Sequence, residues 1–425
     1  MTRMVASLSA LIISIILLVS GNAFLTTLLG IRLSIEQIEP SIIGWVLVCY
    51  SIGFVLGTLY VQKVIARVGH IRAFAVFAAL SAVAALVYPI SVTMGLWAVL
   101  RVISGFSIAG VLVVIESWFS SRATNTNRGA LFAVYQIVFY IAAAGGQLVV
   151  NLGNPASFMP FTLAAILLTL ALIPLSLTRM EAPVIETADR LSFFTLARES
   201  FTGVAGALIC GVLIGAFYAL GPVYATMAGL DVTRTSIFMA AAIIAAMLLA
   251  WPLGRVCDSF DRRRVMFVVS LVAAITAVAV AMIGSTNMTL LMLLVGLFTG
   301  LSATLYPIAV AITNDRMETH RIVAASATLL LSYGIGSVIG PVVMAELMGR
   351  LGPAGLFWGS AGFLLLLTVA TGYRISSTWD VPVEDQEHFV ATMPEASSVL
   401  VEIDPRNEEF HASDVVKEET FRQAS

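Results

Sequence analysis

Three ionisable side chains stand inside or beside long apolar runs: Arg101, Glu116 and Asp258. A charge within hydrocarbon is costly unless it is solvated or paired, so each is a functional candidate by default. Arg101 sits about seven residues into its run, roughly 10 Å from one end at helical rise. Glu116 follows 15 residues later, roughly 22 Å along the same helix and too far to pair with it. Arg101 has two readings. It ties its helix to carbonyls and polar groups of the first run, such as Asn22, or it grips an anionic, carboxylate-bearing substrate bidentately. Glu116 also has two: a salt bridge to Arg122 or Arg128 in an inner gate, or a proton-coupling carboxylate. Asp258, with Arg262 and Arg263, is expected to gate by resting against a helix N-terminus near Asn127–Ala130, where the dipole favours a carboxylate. The alternative is a surface carboxylate beside Arg262–Arg264.

Uncharged polar residues outline a cavity. Gln136, Tyr140 and Gln147 fall on one face of a helix, within about 40° of each other at 100° per residue. Asn22 and Thr26 share a face of the first run; Tyr218 and Pro222, then Tyr333, Ser337 and Gly340, share faces of later ones. Each stripe taken alone reads equally as packing between helices; together they predict one central cavity. His70, His320, His388 and His411 are all expected in loops or the tail, which excludes histidine chemistry inside the membrane. Cys49, Cys210 and Cys257 offer neither a disulfide framework nor a zinc site. No nucleophile–base pair of deep residues is present, so the chain does not read as an enzyme. No cofactor is expected, and with nothing like a Walker A loop the energy source expected is an ion gradient, H+ foremost.

These residues need elements to hold them. Of 425 residues, 59% are hydrophobic and only 11% charged, against about 25% charged in soluble domains; mean hydropathy is +0.97. The net charge of −2 argues against a nucleic-acid partner. A bilayer core about 30 Å thick takes roughly 20 apolar residues per helix. Twelve such runs lie near 5–30, 41–62, 73–90, 95–119, 129–151, 158–178, 203–227, 236–256, 265–284, 288–312, 323–348 and 353–374. Lipid supplies no hydrogen-bond partners, so the runs must be helices. The first, with Arg3 ahead of it, resembles a signal peptide but continues past position 25, too far for one.

With a cytoplasmic N-terminus, inner loops and termini hold 19 of the 23 basic residues, as the positive-inside rule demands. An even number of spans then leaves both termini in the cytoplasm of a multi-pass inner-membrane protein. Residues 1–178 form one six-helix bundle, 179–202 a cytoplasmic linker and 203–374 a second bundle. Residues 375–425 carry −9 against +7 for the rest; such an acidic, proline-punctuated tail is expected to be disordered. Runs three, six, nine and twelve carry almost nothing polar and read as lipid-facing supports.

The halves repeat at a fixed spacing. Arg128 and Tyr140 recur as Arg321 and Tyr333 at an offset of 193; Gly21 precedes Gly215 by 194, and the turn at Gly69 precedes that at Asp261 by 192. Two six-helix repeats of the same orientation place a binding site between them. The segment Gly254-Arg-Val-Cys-Asp258-Ser-Phe-Asp261-Arg262-Arg263 resembles the loop signature of the major facilitator superfamily, G-x-L-A-D-R-x-G-R-R, with Asp261 in place of the turn glycine. Its first-half counterpart, Gln62–Ile71, is degenerate, with Ala66 at the aspartate position. Arg101-Val-Ile-Ser-Gly105 resembles the family's R-x-x-x-G element, and Gly336-Ser-Val-Ile-Gly340-Pro341 its G-x-x-x-G-P element; run five has Gly146-Gln147 without the proline typical of drug antiporters. Glu116-Ser, Asn127-Arg-Gly and Trp251-Pro-Leu-Gly-Arg are similar to the YcaD-type branch. The resemblance implies an all-α membrane protein of two six-helix bundles and alternating access for a small-molecule substrate, with a monomer in the lipid bilayer as the working unit. Two rivals stand beside ion-coupled transport: a uniporter or anion exchanger using Arg101, and a receptor or scaffold acting through the acidic tail.

Overall fold

A computed structural model of the chain describes residues 2–121, 127–177, 191–284, 286–318 and 321–377, with 382, 384, 386, 389, 390, 392 and 393 of the tail; side chains 2–7 and 128 are excepted. Twelve helices long and apolar enough to cross a membrane follow in order. They are α1 Leu8–Ile35, α2 Pro40–Val68, α3 His70–Ile90, α4 Met94–Ser120, α5 Gly129–Leu152 and α6 Met159–Leu177 in the first half. The second half holds α7 Phe201–Met227, α8 Val232–Ser259, α9 Arg262–Ile283, α10 Met288–Asn314, α11 Ile322–Leu351 and α12 Gly355–Ser377. No strand occurs among the described residues. The expected linker contains the short helix Phe193–Glu199; its residues 179–190, Arg122, the Arg128 side chain and most of the 375–425 tail lie outside the described residues.

An even number of spans puts Leu8 and Ser377 at one end of the bundle, here the terminal end; the other is the far end. Local chemistry sets the joints. Gly69, with φ of +85°, makes the tight corner between α2 and α3, a backbone state that side chains with a Cβ avoid. At the equivalent corner Asp261 instead caps α9, its carboxylate accepting from Arg263 N and Arg264 N. The same turn is thus solved once by glycine and once by an N-cap. His70 opens α3 rather than sitting in a loop, as expected from sequence; buried, its ring lies 5.8 Å from that of Trp118.

Close helix contact is built from small residues, as lipid gives no hydrophobic drive for helices to associate. A Cβ on Gly146 of α5 would lie 2.4 Å from Ser20 O of α1, and one on Gly340 of α11 would lie 2.1 Å from Val212 O of α7. Gly146 and Gly340 are 194 apart, Ser20 and Val212 192 apart, so the two halves reuse one packing joint at the spacing of the duplication.

The halves meet at the far end. Gly44 of α2 backs onto Ala345 and Pro341 of α11, Gly30 of α1 onto Pro222 of α7, and Asn151 Nδ2 donates to Ser236 Oγ of α8 at 2.7 Å. A small apolar cluster of Ala144 with Ala240 and Ile243, flanked by Tyr140 and Tyr218, continues this seam inward.

Candidate functional site

Between the halves lies a cavity of about 160 Å³ faced by α1, α2, α4 and α5 from one side and α7, α8 and α11 from the other. No residue of α3, α6, α9, α10 or α12 is on its wall. Seven of the eight residues expected from sequence to form the cavity lie there: Asn22, Thr26, Arg101, Tyr140, Gln147, Tyr218 and Tyr333. Gln136 does not. It shares the stripe of Tyr140 but stands one turn nearer the terminal end, past the cavity's floor, and is half-buried. Tyr50, Ser51 and Phe54 of α2 and Met239 and Ile243 of α8 are wall residues that the stripe argument missed.

Arg101 is only 2% exposed. Its guanidinium carbon lies 4.4 Å from the ring centroid of Tyr50, a cation–π contact. Its Nε has no hydrogen-bond partner, and no carboxylate pairs with it among the described residues. The expected tie to Asn22 is replaced by a relay: Asn22 Nδ2 donates to Tyr50 Oη at 3.1 Å, and Tyr50 supports the cation. One turn along α1, Thr27 hydrogen-bonds Gln147 across to α5. A guanidinium keeps its proton in proteins, and a buried charge without a partner is strongly unfavourable. The ring face of Tyr50 softens that penalty without neutralising the charge.

Glu116 lies elsewhere. It is 0% exposed, off the cavity wall, and accepts from Tyr135 Oη of α5 at 2.6 Å. Tyr135, itself packed 5.5 Å from Phe119, was not singled out in the sequence; the basic partners expected for Glu116 fall on Arg122 and the Arg128 side chain, outside the described residues. Asp258 departs from expectation. Its Oδ1 accepts from Phe389 N of the tail at 2.7 Å, and Phe389 packs against Gly254. The donor that satisfies it is thus a returning tail amide and not the N-terminus of α5. Arg262 pairs with Asp315, tying α9 to the end of α10, and both Arg262 and Arg263 are buried. Arg321 reaches Glu199 of the linker helix at 3.0 Å. These two ion pairs at the terminal end join groups of the second half and its linker helix. Among the described residues no cluster of three metal-binding side chains occurs.

Comparison with known proteins agrees with this architecture. The Major Facilitator Superfamily profile matches residues 4–300 and 229–402. The uncharacterized MFS-type transporter YcaD of Escherichia coli strain 536 is 31% identical over 364 residues, covering 84% of this chain and 93% of that one. A second MFS-type transporter, from Enterobacter sp. strain 638, is 31% identical over 363 residues with the same coverage. Among solved structures, the nucleoside transporter NupG superposes with a TM-score of 0.73 at 17% identity, covering 88% of this chain and 100% of its own. A bacterial homolog of the lysosomal transporter Spinster gives 0.71 at 13% identity, covering 90% and 98%. These structures share the fold; the sequence relatives and the profile fix the lineage. Twelve spans in two bundles about one cavity, a matching profile over most of the length and relatives above 30% identity together make this chain a member of the major facilitator superfamily, a non-enzymatic membrane transporter.

Proposed function

We propose that this chain is a secondary active transporter that carries a small solute by alternating access, driven by an ion gradient, with H+ as the coupling ion. The observation that carries the reading is a cavity faced by both halves, while those halves are packed together at the far end by Gly44, Gly30 and Asn151. A mid-bundle site sealed on one side is one station of a rocking cycle. The basic residues of the terminal end set the orientation: both termini in the cytoplasm of a bacterial inner membrane. In this reading the monomer is the working unit.

In this reading Glu116 is the proton-coupling group, and Asp258, Arg262 and Arg263 belong to the inner gate. A second reading has a specific observation in its favour. Arg101 is on the cavity wall and Glu116 is not, which suits a uniporter or anion exchanger working through Arg101 alone. A pH-jump uptake assay in proteoliposomes separates the two, using the solute that most raises the melting midpoint in a ligand screen. Proton coupling predicts uptake that follows ΔpH in the wild type and a flat response in Glu116→Gln. Uptake indifferent to ΔpH, with a silent Glu116→Gln, leaves the Arg101 reading standing and removes Glu116 from the cycle. Deleting 378–425 tests the scaffold alternative, since a transporter keeps its flux without the tail.

A further inference from the structure

We infer that the cavity is built for an amphipathic organic monoanion: one carboxylate or comparable oxyanion held by Arg101, with an apolar body about the size of a single six-membered ring. The inference rests on the transport reading above and narrows its substrate.

Charge comes first. The wall holds one cation, Arg101, and no carboxylate. Its guanidinium is on the wall and has no carboxylate partner among the described residues, so a ligand that brings a single negative charge completes it. A cationic amine would add a second positive charge to a site without a carboxylate, and a dianion would carry one charge with nothing to meet it. Placement comes second. Two hydrogen-bonded wall pairs lie on Arg101's half of the cavity, Asn22 with Tyr50 and Thr27 with Gln147. Most of the remaining wall is hydrocarbon or ring edge: Leu18, Phe54, Ile108, Leu112, Phe139 and, from the second half, Ile243. The Arg101 side of the ligand is therefore offered the hydrogen-bonded pairs and the rest mostly hydrocarbon, with Tyr140, Tyr218, Tyr333 and Ser337 as scattered hydroxyls, which selects against sugars and other evenly hydroxylated solutes because most of their polar groups would be left unpaired. Size comes third. A cavity of about 160 Å³ matches the engineered cavity of about 150 Å³ that accommodates benzene.

Equilibrium binding to the purified full-length protein tests this with four probes: phenylacetate, phenylacetamide, phenethylammonium and acetate. Phenylacetate is expected to bind at least tenfold tighter than its amide, and tighter than acetate, with phenethylammonium not binding. Arg101→Gln should remove the carboxylate preference, and Arg101→Lys should retain part of it, as the charge survives without the bidentate fork. Should Arg101→Gln fail to fold, Leu112→Phe serves instead: it narrows the apolar end, and should weaken phenylacetate about tenfold while leaving acetate unchanged. Equal affinity for phenylacetate and phenylacetamide, preference for the ammonium, or no binding by any probe overturns the inference. Counterflow of the bound probe in proteoliposomes separates this from the parent reading. Binding without flux sinks transport of that ligand and leaves the site's selectivity intact; flux of a neutral solute with no carboxylate binding does the reverse.

Discussion

The two halves face the same cavity with unequal chemistry. At the duplication offset of 193, Arg101 corresponds to Leu294, Tyr50 to Ile243 and Tyr140 to Tyr333; at 194, Asn22 corresponds to Ala216. Only the tyrosine pair is kept. The first half contributes the cation, its ring support and two hydrogen-bonded pairs, while the second contributes Tyr218, Tyr333, Ser337 and hydrocarbon. The joints that hold each half together, by contrast, are matched, as Gly146 on Ser20 and Gly340 on Val212 demonstrate. Duplication has kept the scaffold and released the chemistry. The reason is physical: a Cβ that collides with a carbonyl oxygen is intolerable wherever the joint recurs, whereas a wall residue answers only to the ligand.

The sharpest way to break this asymmetry is at the cation. Arg101→Gln is expected to cut flux by about two orders of magnitude, about 2.8 kcal/mol at 1.4 kcal/mol per tenfold, with little change in melting midpoint because no protein group loses a salt bridge. Tyr333→Phe, on the matched face of α11, is expected to cost less than fivefold. Counterflow rates in proteoliposomes measure both; similar losses for the two would mean that the halves share the binding work equally.

The scaffold symmetry predicts the reverse pattern. Gly146→Ala and Gly340→Ala each force a Cβ to within 2.4 Å and 2.1 Å of a backbone oxygen, so both should lower the melting midpoint, by the equivalent of about 1–3 kcal/mol of overpacking. A large effect in one half only would show that the joints are not equivalent.

How legible these features were from sequence follows the same division. The spans could be read because lipid demands about 20 apolar residues from each helix, and the run near 158–178 became Met159–Leu177. The first span reached Ile35 rather than position 30 because Arg32 turns its head to Ala156 O and Glu36 at the membrane edge. Seven cavity residues were legible because polar side chains are scarce in apolar runs. Tyr50 was not, since one tyrosine in such a run sets no periodicity, and Met239 and Ile243 look like any other packing residue. Gln136 was misplaced because a helical face records angle and not depth. The tail donor to Asp258, Phe389 N, lies 131 residues away, beyond any local rule.

That tail contact gives a third, smaller comparison. Asp258 receives Phe389 N, whereas Ala66, at the corresponding place in the first half, has no side chain that can accept. Asp258→Ala is therefore expected to free the tail and to speed protease cleavage near Phe389 severalfold, in line with the loss of one exposed charge-assisted hydrogen bond, about 1 kcal/mol. Ala66→Asp should leave cleavage unchanged. Equal cleavage of the wild type and Asp258→Ala would mean that the carboxylate does not hold the tail.

The smallest expected effect lies at the far-end seam, where the asymmetry of the wall gives way to contact between the halves. Asn151 Nδ2 donates to Ser236 Oγ across that seam at 2.7 Å, and any motion that opens the cavity to the far side must part them. A neutral hydrogen bond contributes about 0.5–1.5 kcal/mol net. Asn151→Ala should therefore raise the population open at the far end by a factor of about two to ten. Labelling reads this out: a cysteine in place of Ser51, on the cavity wall, in a background with Cys49, Cys210 and Cys257 replaced, reacts with a membrane-impermeant maleimide added from the far side. Ser236→Ala should accelerate labelling about as much as Asn151→Ala, and the double variant should add almost nothing, because one bond cannot be lost twice. Additive acceleration would mean that the two side chains restrain the seam separately, leaving Gly44 and Gly30 and the close packing around them to hold the halves shut.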